Sequence, residues 1–435
     1  MIYLVTKVKA LFKSSKYECI SIERSKEIIN SMKKIRGLDT ETMGLNPHTK
    51  ALLTVQIGTK ENQVVIDCTT INIWEYKNLL EDSNILYILA NAKFDTQFFF
   101  KHNIILSKVW DVMLAEKVRY LGYPKNSFHA DLKTLEYKYL NKYMDKTVRG
   151  KITKVGLTEE VIVYAANDVV DLEDLMNAQI KALEKEDLVK AVQLENRFVI
   201  PLAYMEWCGV KLDVEKWKVK MVKDAKRLKI ALTKLNDWVV KHYGKDSRFT
   251  KVDLQGDLFL GFNTDPQCAI NWNSAAQVIP LFKAIGINTS TVDSKTKKLK
   301  DSVDAKLLEP QAKDFEILPI YLDYKEAQKV CSTYGQNWLD QINSETGRVY
   351  TKFNQLGTNT ARISSGGKDK NAKIEYLNFL NLPADPETRS CFIAEKGNSW
   401  ISIDYSGQES FIMASISNDK ALIHELTEGS GDLHS

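Results

Sequence analysis

Hydrophobic and polar positions divide the chain into three textures. From Ile35 to about Asp67 the runs KIRGLDTETMGL, ALLTVQIG and QVVIDC are short, rich in Val and Ile, and bounded by Gly and Asn, which predicts an edge-on meander of three strands. The apolar run NILYILA then gives way to the helix-like AKFDTQFFFKHN, and helical periodicity continues through Glu186. These elements make up a first domain over residues 1–190, of α/β type. Residues 191–345 carry long amphipathic stretches such as EKWKVKMVKDAKRLKIALTKLNDWVVKHY, where Trp217, Met221, Leu228, Leu232 and Leu235 recur near helical spacing. Past Gly347 the texture turns to Gly, Ser, Asn and Thr, then to a predicted strand, WISID, and a helix from Glu409 to about Glu425, which sets off a third region over 346–435.

Composition narrows the class without choosing a partner. With 44% apolar and 27% charged residues the chain can bury a core and is unlike a disordered protein. Its 60 Lys and Arg against 56 Asp and Glu leave a formal charge of only +4, so any nucleic-acid role must rest on local basic patches. The lysines of the helical region fit a solvated face and a grip on a DNA backbone equally well. Cys19, Cys68, Cys208, Cys268, Cys331 and Cys391 are scattered, with no CxxC pair and no zinc-ligand spacing to histidine, the pattern of free thiols in a reducing compartment. No stretch approaches the roughly 18 apolar residues of a membrane span, so a soluble, cytoplasmic protein is expected, in the host cytoplasm if phage-encoded.

Three acidic motifs stand in order. In Leu38-Asp39-Thr40-Glu41-Thr42, strand alternation puts Asp39 and Glu41 on one face, and two carboxylates side by side invite a cation. Asn91-Ala92-Lys93-Phe94-Asp95 places Asp95 at a strand-to-helix junction. Tyr164 and Asp168 stand at i and i+4 of a predicted helix and share a face.

DxE, NxxFD and YxxxD in this order resemble the DEDD superfamily of 3′–5′ exonucleases in its tyrosine-bearing form, over about residues 30–185. The resemblance implies hydrolysis of phosphodiesters with two divalent ions, Mg²⁺ with Mn²⁺ as the alternative. Asp39, Glu41 and Asp168 would ligate one ion. Asp39 would bridge to the second, Asp95 would hold that ion directly or through water, and the Tyr164 hydroxyl would orient the attacking water.

From Met205 onward the chain resembles family A DNA polymerases, the DNA polymerase I type of bacteria and phages. The likeness rests on MEWCGVKLD (Met205–Asp213), INWNSAAQVIPLFKAIGI (Ile270–Ile287), YKEAQKVCSTYG (Tyr324–Gly335), TGRVYTKFNQLGTNTARISS (Thr346–Ser365), LNFLNLP (Leu377–Pro383) and WISIDYSGQES (Trp400–Ser410). By this resemblance Gln355 and Arg362 would meet minor-groove acceptors, and Thr358 and Lys329 would meet phosphates. Asp404, at the end of the predicted WISID strand, would be the catalytic metal-binding acid of the palm, with the Tyr405 carbonyl as second ligand. Glu409 and His434 would face the nucleotide, Glu409 excluding a ribose 2′-hydroxyl. Leu380 stands where the family has glutamine, Ala361 where it has glycine, and Gly407-Gln408 where it has Gln-Ile.

The implied architecture is an α/β exonuclease domain with a ribonuclease H-like mixed sheet, a mostly helical thumb and part of an α+β palm. The triphosphate-binding helix and second palm carboxylate of the family are expected after Asp432-Leu433-His434-Ser435. The chain therefore reads as the N-terminal part of a proofreading polymerase, split, interrupted or truncated. Its expected partners are primer–template DNA, single-stranded 3′ ends, dNTPs, a C-terminal polymerase polypeptide and, as a further candidate, a processivity factor. A stand-alone exonuclease using the second half as a DNA-binding platform, and a non-catalytic DNA-binding scaffold, are the alternatives.

Overall fold

The computed structural model describes residues 1–123, 129–143, 153, 156–245, 247–252, 265–293, 296–369 and 374–429. Seven strands form the first sheet: β1 (Ile2–Val5), β2 (Tyr17–Ile20), β3 (Ile35–Thr42), β4 (Leu52–Gly58), β5 (Gln63–Asp67), β6 (Leu86–Leu89) and β7 (Val109–Asp111). Their order is β2-β1-β5-β4-β3-β6-β7. The expected meander is β3-β4-β5, antiparallel throughout, but it occupies the middle of the sheet and not an edge. β1 joins β5 in parallel, β2 joins β1, and β6 and β7 extend the other side in parallel. β1 and β2 have four residues each, too few for alternation to announce a strand, and pairing on the apolar β5 creates them.

Both faces of this sheet are covered, which is why β5 is buried at all five positions. Helix Glu159–Asn167 packs across β1, β4 and β5, and helix Leu172–Lys185 lies on β3 and β6. The turn between those helices reaches β3 at Gly37, where a Cβ would stand 2.6 Å from the Val169 carbonyl oxygen. A side chain there would push Val169, and Asp168 with it, away from the strand that carries Asp39 and Glu41.

Helix Val189–Cys208 lies along helix Ala92–Lys101 and joins the sheet domain to the helical region. The 30-residue helix Val214–Tyr243 pairs with Ile317–Thr333 around a second core that includes Leu235, Trp272, Phe282 and Tyr321. Trp217 and Leu235 are fully buried as their spacing predicts, while Met221, Leu228 and Leu232 are half-buried. Several cations of this helix are occupied within the protein: Lys218 by Glu215, Lys223 by Glu387, Arg227 by Asp323 and Glu326. Lys220 is buried against Asp224 and the Trp217 ring. Among the described residues no helix is long and apolar enough to cross a membrane, and all six cysteines are unbridged.

In the last region Val210–Leu212 pairs antiparallel with Arg348–Val349 and Phe392–Ile393. The WISID strand is not formed. Residues 400–405 take no regular structure, and Ile401 and Ile403 are 81% and 86% exposed. A strand exists only through hydrogen bonds to a neighbour, and no described segment offers this one a partner edge. The helix expected from Glu409 is two, Gln408–Ser417 and Lys420–Thr427, divided where Asn418 turns left-handed and Asp419 caps the second.

Ala361, in the position where the family has glycine, is also left-handed, with φ of +62°. Ala361→Gly is therefore expected to stabilise the protein by about 0.5–1 kcal/mol, by removing backbone strain that glycine does not feel. The urea unfolding midpoint measures this.

Candidate functional site

β3 carries Asp39 and Glu41 on one face, and its pairing with β4 shifts register between Glu41 and Thr42, a bulge at the point where the acids leave the sheet. Thr158 caps helix Glu159–Asn167, accepting from the Val161 N–H, and Asp168 closes its other end. That capped helix and the close approach at Gly37 bring Asp168 to β3. Carboxylate oxygens of Asp39, Glu41 and Asp168 lie within 4.8 Å of one another, Asp168 buried and the other two half-buried. Three like charges this close are stable only with a cation among them, and an all-oxygen donor set suits a hard divalent ion. Among the described residues this is the one such cluster. Tyr164 lies one turn before Asp168, buried beside Val161, Leu53 and Leu157.

Asp95 stands in the first turn of helix Ala92–Lys101, outside the triad but tied to its strand. The Thr40 hydroxyl, between Asp39 and Glu41 in sequence, donates to Asp95 Oδ1 at 2.5 Å. Burial raises the Asp95 carboxyl above the usual carboxylate range, and the Thr40 donor opposes that shift.

Helix Ala92–Lys101 has no cap of its own, since Asn91 is left-handed and caps nothing. Asp111 does this work from the end of β7. Its carboxylate accepts from Asn91 N at 3.2 Å and Ala92 N at 2.9 Å, and also caps helix Val112–Arg119 through Met113 N and Leu114 N. Asn196 Oδ1 accepts from the Asp111 N–H, linking this joint to helix Val189–Cys208. Burial raises the Asp111 carboxyl, and the N–H donors oppose it. Asp111 belongs to none of the three acidic motifs; an acid just before the helical run VMLAEK is the signal in the sequence that could have found it.

The polymerase-like residues are arranged differently from expectation. Gln355 does not stand free for DNA: its Nε2 donates to the Glu195 carbonyl at 2.7 Å and to the Glu195 carboxylate. Its neighbour Leu356, left-handed at φ +55°, packs against both apolar cores of the sheet domain. Arg362 and Glu409 are exposed and paired with each other. Thr358 is exposed and bonded to the Arg362 carbonyl oxygen, and Lys329 is exposed on helix Ile317–Thr333. Asp404 and Tyr405 lie in the exposed segment that was expected to be a strand, with no second carboxylate assembled beside Asp404 among the described residues. His434 lies outside the described residues.

A buried ion pair bolts the two halves together. Lys93, two residues before Asp95, pairs with Glu206 and also donates to the Phe353 carbonyl oxygen. Glu206 accepts in turn from the Phe353 N–H and, at 2.6 Å, from Gln97 Nε2. Burial lowers the Lys93 ammonium below its ordinary range, and the Glu206 charge opposes this. Glu206→Leu is expected to destabilise the protein by about 3–5 kcal/mol, because it strands a buried ammonium. A urea titration of the variant beside Lys93→Met/Glu206→Leu checks it: the double variant should recover most of the loss.

Comparison with known proteins mirrors this division. Residues 19–183 match the family model described as 3′–5′ exonuclease, and residues 263–435 match the model for DNA polymerase family A. DNA polymerase I of Borreliella burgdorferi is 28% identical over 94% of this chain and 42% of its own length. DNA polymerase I of Aquifex aeolicus is 27% identical over 91% and 62%, and the DNA polymerase of Escherichia phage T5 is 26% identical over 88% and 45%. The chain thus spans less than two thirds of each of these relatives. Among solved structures, the POL domain of Pol1 from M. smegmatis in complex with DNA primer-template and dNTP superposes with a TM-score of 0.66. That likeness covers 93% of this chain and 63% of the other at 20% identity, and it establishes the fold.

Proposed function

We propose, on the premise that this chain belongs with the DNA polymerase I type of family A and carries its 3′–5′ exonuclease domain, that it removes nucleotides from DNA 3′ ends and serves as the N-terminal part of a proofreading DNA polymerase. The observation that carries the first half of this reading is the Asp39–Glu41–Asp168 triad. Its oxygen donors fit Mg²⁺ or Mn²⁺, with Asp39 and Asp95 toward a second ion. When bound, such cations would supply charge to the scissile phosphate and lower the pKa of a water. The protein's own contribution is placement: Asp168 is held to β3 by the Gly37 contact, Asp95 by Thr40 and Asp111, and the Tyr164 hydroxyl orients the water one turn from Asp168. The deciding test is digestion of 3′-labelled single-stranded DNA with either metal. A chain inert toward such ends under both would end the exonuclease reading.

The polymerase half would hold primer–template through its backbone. Lys226, Lys229, Lys234 and Lys241 on helix Val214–Tyr243 are exposed and outside the protein's ion pairs, unlike Lys218 and Lys223. Changing Lys226, Lys229 and Lys234 to Gln is expected to lower the slope of log affinity against log salt by about 2–3, since each phosphate left unneutralised takes about 0.9 off that slope. Fluorescence anisotropy with a labelled primer–template reads it, and an unchanged slope would assign those lysines to solvent.

A partner for residues 400–416 belongs to the same reading. Trp400, Ile401, Ile403, Tyr405, Ile412, Met413 and Ile416 expose a contiguous apolar surface around Asp404. Polypeptide carrying the rest of a palm, continuous with this chain or separate, would pair with residues 400–404 as a strand and complete a site for dNTPs. A processivity factor would act on the assembled enzyme.

A further inference from the structure

β3 presents its acids on one face, and its alternation sends the Thr40 side chain to the other. That side chain is buried, 7% exposed, and so is Asp95 at 3%. The helix that bears Asp95 is fixed as a body, because Asp111 receives its first N–H groups and because Lys93 anchors it to Phe353 and Glu206. What the helix frame leaves undetermined is the rotation of the Asp95 carboxylate about its side-chain bonds. The 2.5 Å bond from the Thr40 hydroxyl removes that freedom. The donor comes from the residue between the two strand ligands, so the place of Asp95 is referred to the same three residues of backbone that place Asp39 and Glu41.

We propose that Thr40 is a positioning residue of the exonuclease centre, its hydroxyl holding the Asp95 carboxylate in register with Asp39 and Glu41 so that the second cation can bind. This rests on the exonuclease reading above. A methyl in place of the hydroxyl keeps the shape and strand preference of the side chain, and only the donor is lost. Groups that orient a metal ligand typically change metal affinity or activity by about 10–100-fold when removed.

The test compares Thr40→Val and Thr40→Ser with the wild-type chain in two measurements: calorimetric titration with Mn²⁺ alone, and the rate of release from 3′-labelled single-stranded DNA. Thr40→Val should keep the tighter Mn²⁺ site of the triad, weaken the second by about 10–100-fold and slow digestion to match. Thr40→Ser, which keeps the hydroxyl, should restore both. Two Mn²⁺ sites of wild-type affinity in Thr40→Val would overturn the proposal. So would a folded Thr40→Ser as defective as Thr40→Val, since the methyl and not the hydroxyl would then matter; the same Ser comparison judges the proposal if the Val chain does not fold. If the wild-type chain fails to digest DNA, the exonuclease reading falls by itself, and the Mn²⁺ titration still decides whether Thr40 governs the second site.

Discussion

A chain in which Asp39 and Glu41 are both alanine is expected to leave 3′-labelled single-stranded DNA intact, its digestion rate down by about 10³–10⁵-fold. The double change takes two of three carboxylates from the triad and with them the stabilisation of transition-state charge, several kcal/mol, at about 1.4 kcal/mol per tenfold. The loss should not come from unfolding. Both side chains are only half-buried, and removing them relieves repulsion among three acids within 4.8 Å, so the metal-free variant should be as stable as the wild type or more so. Thermal unfolding in a chelator separates the two causes. Tyr164→Phe should cost far less, since it takes away a hydroxyl and leaves every carboxylate in place. Full activity in the double alanine variant would mean that the hydrolytic centre lies elsewhere.

The 435-residue chain alone is expected to extend no primer, and a supplied polypeptide carrying the rest of a family A palm is expected to switch synthesis on. Asp404 sits on an exposed segment without sheet partners, and no other described acid gathers near it into a metal-binding group. In-line attack on an α-phosphate needs the metal ions and the dNTP held at once, so synthesis requires neighbours that this structure does not supply. Docking would cover Ile401, Ile403 and Ile416, whose exposure otherwise favours aggregation. It would also have to part Arg362 from Glu409 if each is to reach DNA or nucleotide. Asp404→Ala in the assembled pair should abolish extension and spare digestion of single-stranded 3′ ends. Strong synthesis by the lone chain would refute this account, and failure with an authentic partner would favour a stand-alone nuclease.

Where function depends on neighbours in sequence, the sequence was sufficient to read it. Asp39 and Glu41 share a face because strands alternate, and Tyr164 and Asp168 sit one turn apart because helices repeat every 3.6 residues. The order of DxE, NxxFD and YxxxD identified the exonuclease domain, and TGR and DYSG stretches identified the polymerase region, with no tertiary information. The meander of β3, β4 and β5 and the long helix Val214–Tyr243 were legible for the same reason, as periodic runs with clear ends.

What the tertiary structure alone decided concerns residues whose partners are far away along the chain. Gln355 is a polar side chain suited to a minor groove until Glu195, 160 residues earlier, is seen to hold it. Lys93 is a surface-type residue by sequence and a buried bolt in the fold, because Glu206 and Phe353 arrive from another region. Asp111 gained its role when β7 set it between two helix starts. WISID has the alternation of a strand and forms none among the described residues, because alternation states only which face would be buried. The hydrogen bonds that make a strand come from a neighbour, and where the neighbour is missing the pattern cannot be realised.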